Sequence, residues 1–118
     1  MHPPLKVAEV FNTAALANTD IVSVDFTPAS PSAGRARTGT CAYRVTIALK
    51  TTDSVVELQV IQGGVTVEAD LNNGTALTAG RLYTFTFGAS SACTYNLHCE
   101  TATTVGYLLI EEIRDGVI

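Results

Sequence analysis

Apolar and polar residues alternate along most of this chain with a period of two, the spacing of a strand that buries one face and wets the other. Val22, Val24 and Phe26 alternate with Ser23 and Asp25, and Cys41, Tyr43, Val45, Ile47 and Leu49 alternate with Arg44, Thr46 and Lys50. Val56, Leu58 and Val60 stand against Glu57 and Gln59, then Val65, Val67, Ala69 and Leu71 against Thr66, Glu68 and Asp70. Gly63-Gly64 between these two runs supplies the positive φ of a tight hairpin turn, so the two strands are expected to be antiparallel neighbours.

A second turn, Asn72-Asn73-Gly74, precedes Tyr83, Phe85 and Phe87, an aromatic row that the pattern makes the expected centre of the core. Tyr95, Leu97 and Cys99 alternate with Asn96, His98 and Glu100 after the Gly88-Ala89-Ser90-Ser91 turn. The last strand, from Val105 to Ile113, holds the nearly continuous apolar run Tyr107-Leu108-Leu109-Ile110, expected to be buried on both faces, one of them against another chain. Helical spacing is confined to Thr13-Ala14-Ala15-Leu16-Ala17, enough for a turn or two.

Seven to eight short strands separated by turn signals predict an all-β, antiparallel, jelly-roll-like β-sandwich. Residues 1–20, opening on Pro3 and Pro4, are expected to form an extended N-terminal arm along a surface, and residues 21–118 a single sandwich domain. The Pro-, Ser-, Ala- and Gly-rich stretch from Thr27 to Thr40 is the longest loop and a natural contact element.

Composition narrows the function classes. A chain of 118 residues supports one core, and its charged fraction of 15% is low for a free-standing domain, as in a surface that is partly covered or in strands whose wet face is kept polar by Thr and Ser. Seven Lys and Arg against eleven Asp and Glu leave no footprint for nucleic acid or for anionic lipid. No stretch has the length of a membrane span, and the N-terminus lacks a secretory leader, so the expectation is a protein made and kept in a cytoplasm. Cys41, Cys93 and Cys99 then read as reduced, mostly buried thiols without a structural disulfide.

Candidate chemistry is sparse. The best set of metal ligands by spacing is Cys93, His98, Cys99 and Glu100, but His98 and Cys99 are adjacent on one strand and point to opposite faces, so no metal and no cofactor is expected. A nucleophile–base–acid set is equally hard to build from two histidines. His98 reads as a residue of the polar face, and the adjacent Glu111 and Glu112 point apart. The chain is therefore read as a non-enzyme.

Asp70-Leu71-Asn72-Asn73-Gly74, Ala79-Gly80-Arg81-Leu82-Tyr83-Thr84-Phe85, Thr94-Tyr95-Asn96-Leu97 and Thr104-Val105-Gly106-Tyr107-Leu108-Leu109-Ile110-Glu111-Glu112-Ile113 together give an Asn-Gly turn, an aromatic strand, a Thr-Tyr-Asn strand and an apolar last strand ending in acids. Across roughly residues 40–113 this order resembles the small jelly-roll capsid decoration, or cement, proteins of tailed bacteriophages. The resemblance implies a virion protein on the capsid surface that clamps neighbouring copies of the major capsid protein, commonly as a trimer. It carries over no binding residues. The arm, through Pro3, Pro4, Leu5 and Val7, and the loop, through Arg35 and Arg37, are the expected shell contacts. The competing expectation is a carbohydrate- or receptor-binding sandwich of a phage tail or fibre.

Overall fold

The structure is a computed structural model that describes residues 5–15, 19–25, 40–90 and 93–113. Its strands are β1 (Leu5–Ala15), β2 (Thr19–Asp25), β3 (Thr40–Leu49), β4 (Val56–Gln62), β5 (Val65–Asp70), β6 (Leu82–Ser90), β7 (Thr94–Cys99) and β8 (Thr103–Ile113). They form two four-stranded antiparallel sheets, β1-β8-β3-β6 and β2-β7-β4-β5. The only helical element among the described residues is the 3₁₀ turn Leu71–Gly74, and no helix is long and apolar enough to cross a membrane.

The topology follows from one hairpin. β4 and β5 meet at Gly63 and Gly64, whose φ values of 59° and 82° match a primed two-residue turn. From there the two halves of the chain run back side by side. β3 pairs β6, β2 pairs β7 and β1 pairs β8, and successive pairs fall in alternate sheets. The result is a long antiparallel ribbon folded over itself into a sandwich-like pair of layers.

The inward positions of both layers meet in one core. Val45, Ile47 and Leu49 of β3, Leu108 and Ile110 of β8, Val56 of β4 and Leu97 of β7 are almost completely buried. Tyr83, Phe85 and Phe87, expected as its centre, are only half-buried, because β6 is an edge strand that pairs, among the described residues, with β3 alone. β3 and β8, central in their sheet, take that place. Phe87 still reaches across the layers to Tyr95, with ring centroids 5.5 Å apart.

Two other expectations change. Leu5–Ala15, expected within an extended arm, is paired along its length with β8, and β2 already begins at Thr19. The turn or two of helix that the spacing would allow around Thr13 to Ala17 gives way over Thr13–Ala15 to this pairing, which buries Ala15 against the core. Alanine's helix propensity, a fraction of a kcal/mol, is outweighed by such tertiary burial. β8 is fully buried on its inward face, and within the single chain its outward face, the one expected to meet another chain, is half-buried. Its inward positions change parity at Gly106, where the pairing with β3 shifts register and Asn12 opposite adopts φ 47°. Asn tolerates that left-handed conformation, and its Oδ1 accepts a hydrogen bond from Lys50 Nζ at 3.3 Å.

Candidate functional site

Strand register sets two outward surfaces of opposite character. On the β2-β7-β4-β5 sheet one cross-strand row runs His98, Glu57 and Asp70, and the next runs Asn96, Gln59 and Glu68. His98 and Glu57 are 4% and 7% exposed, as shielded as core residues although they sit on the outward face. His98 Nε2 is hydrogen-bonded to Glu57 Oε1 and lies 3.7 Å from Glu68 Oε2. Gln59 Nε2 donates to Glu68 Oε2 at 2.7 Å, and Asn96 Nδ2 donates to Gln59 Oε1 at 3.4 Å. The polar side chains thus form one connected network over three strands.

The electrostatics of this network are one-sided. The four strands of the sheet carry Asp20, Asp25, Glu57, Glu68 and Asp70, with Glu100 just after β7, and no Lys or Arg. Burial raises the Glu57 carboxyl above its ordinary value of 4.5, and hydrogen bonding with Glu100 adds to the rise, against the lowering effect of His98. The set Cys93, His98, Cys99 and Glu100, weighed and set aside on spacing grounds, is not brought together. Cys99 points into the core, where burial pushes its thiol up to about 11, while His98 faces outward. His98, read from the alternation as an ordinary wet-face residue, is instead the most deeply shielded member of a polar cluster.

Sequence reasoning missed this cluster, although part of its signal was available. A two-residue turn at Gly63-Gly64 forces Gln62 opposite Val65, hence Gln59 opposite Glu68 and Glu57 opposite Asp70. His98 arrives from a strand 41 positions further along, and nothing local fixes its register.

The outward face of the other sheet is apolar at one end. Phe11, Tyr107, Ala48 and Leu82 form a single cross-strand row, with Phe11 and Leu82 60% and 66% exposed. The Phe11 and Tyr107 rings lie 5.2 Å apart. The next row is Glu9, Leu109, Thr46 and Thr84, with the Tyr107 hydroxyl donating to Glu9 Oε2 at 3.2 Å. Beyond it Arg44 donates from Nε and Nη2 to Glu111 Oε1, at 3.1 and 2.8 Å.

Of the expected shell contacts, Leu5 lies in β1 opposite Glu112, and Val7 sits at a register shift of β1, half-buried against the core. Pro3, Pro4, Arg35 and Arg37 lie outside the described residues. Compared with known proteins, the chain matches no protein-family model and no curated protein, and its function is therefore argued from these two surfaces.

Proposed function

We propose that the protein is a virion structural protein, a capsid decoration or cement protein that binds the outside of an icosahedral shell as a homotrimer and clamps neighbouring copies of the major capsid protein. The observation that carries the reading is the outward row Phe11, Tyr107, Ala48 and Leu82, which keeps large apolar side chains in water on a flat sheet face. Contiguous apolar surface of this kind on a small domain marks a protein contact. Beside it, the Arg44–Glu111 pair gives the face a polar border that can fix orientation.

The order β1-β8-β3-β6 over β2-β7-β4-β5 supports a jelly roll, in which a folded antiparallel ribbon gives two Greek keys, an architecture common in capsid proteins. Pro3, Pro4, Leu5, Arg35 and Arg37 are proposed as further shell contacts, with Val7 anchoring the adjoining strand. Many copies on one particle let contacts that are individually weak hold the shell together. The reading is non-enzymatic: the His98–Glu57 pair faces away from the buried Cys99 thiol, so the two do not form a nucleophile–base pair.

A second reading, a carbohydrate- or receptor-binding domain of a phage tail or fibre, draws on the same Phe11–Tyr107 ring pair, since sugars stack on exposed aromatic faces. Light scattering of the purified protein under reducing conditions, followed by sedimentation with capsids stripped of accessory proteins, separates the two. The proposal expects a trimer that pellets with the shells. A monomer that stays in the supernatant and binds a glycan array would overturn it in favour of the second reading.

A further inference from the structure

We infer that Glu57, Glu68 and His98 form a binding site for a single divalent transition-metal ion, zinc being the best fit, which ties β4, β5 and β7 together on the outward face of their sheet. The inference is independent of which surface the sandwich holds. Each of the three strands contributes one ligand, and the candidate ligand atoms all lie within 4.8 Å of one another. A four-coordinate zinc about 2.1 Å from each ligand spaces those ligands about 3.4 Å apart. The 3.7 Å between His98 Nε2 and Glu68 Oε2 is already close to that, and Glu57 needs only to part from His98 to admit the ion.

The donor set also selects the kind of ion. One imidazole nitrogen with two carboxylate oxygens suits zinc or manganese better than calcium or magnesium, which prefer all-oxygen shells. Gln59 donates to the Glu68 oxygen nearest His98 and fixes it, the usual role of a neighbour behind a metal ligand. A second set of Glu57, Asp70 and Glu100 adjoins the first through Glu57, so the charge around the site is strongly negative, and the sheet's own strands hold no Lys or Arg to offset it. A dication does so.

The structural consequence falls on β5. Every residue of β5 is exposed, and among the described residues β4 is its only strand neighbour. An ion held by Glu68 would link this edge strand to the two central strands by a route other than its backbone ladder.

The test uses the full chain carrying His2→Ala, which removes the other histidine, stripped with chelator and titrated with zinc chloride and, separately, manganese chloride. Calorimetry is expected to give one saturable zinc site, thermal melting to shift upward, and hydrogen exchange of the β5 amides to slow on zinc addition. Glu68→Gln, at a half-exposed position where the fold is undisturbed, is expected to weaken zinc binding at least tenfold and to abolish the slowing in β5. Absence of saturable binding, or binding untouched by Glu68→Gln but lost with Cys93→Ser, would overturn the assignment.

Discussion

Glu57 is the residue where the chemistry of the fold is most concentrated. It sits in the middle of its row, with His98 on β7, Asp70 and Glu68 on β5 and Glu100 just beyond β7 all facing it. Because burial and Glu100 raise its carboxyl pKa, the folded chain holds more protons than the unfolded one between the ordinary value of 4.5 and the higher folded value. Stability therefore falls as pH rises through that window and is fully retained below it. In metal-free protein, Glu57→Gln is expected to flatten this slope, read as urea midpoint against pH, and to leave the variant at least as stable as wild type above the window. An unchanged slope would move the titration to another group. This residue could not be singled out beforehand, because alternation assigns Glu57 to a wet face and only the packing of three strands makes that face dry.

At the scale of elements, β1 and β5 are both edge strands but differ in how they are held. β5 was legible from its own composition and from the Gly63-Gly64 turn, which fixes pairing by geometry alone. β1 was not, since Pro3 and Pro4 suggest an arm and Thr13 to Ala17 suggest a helical turn. Its identity as a strand is decided by β8, nearly a hundred residues away, through Ala8 opposite Ile110 and Val10 opposite Leu108. The aromatic row on β6 is not the centre of the core for a related reason, because the alternation of Tyr83, Phe85 and Phe87 gives a face but not a position within the sheet. Deleting residues 1–4 is accordingly expected to leave the thermal midpoint within a few degrees of wild type. Deleting residues 1–12 removes most of β1, uncovers the β8 ladder and is expected to lower the midpoint by ten degrees or more or to prevent folding, on the order of a loss of several kcal/mol. Circular dichroism melts of the two truncations check this, and equal midpoints would mean that β1 contributes little to the sheet.

For the whole molecule, the two sheets differ in the surface they turn outward. One turns an acid–imidazole network outward with no basic residue in its strands, and the other turns an apolar row outward with an Arg44–Glu111 border. On the proposed reading, the apolar face turns toward the shell and the charged face toward water. The most direct test of the adhesive face is quantitative sedimentation of wild type, Leu82→Glu and Phe11→Glu with stripped capsids over a range of protein concentrations. Both positions are more than half exposed, so the substitutions leave the folded core intact. The account predicts saturable binding by wild type and at least tenfold weaker binding by each variant, with melting midpoints unchanged. Capsid binding by the two variants equal to that of wild type, or no binding by any of the three, would contradict it.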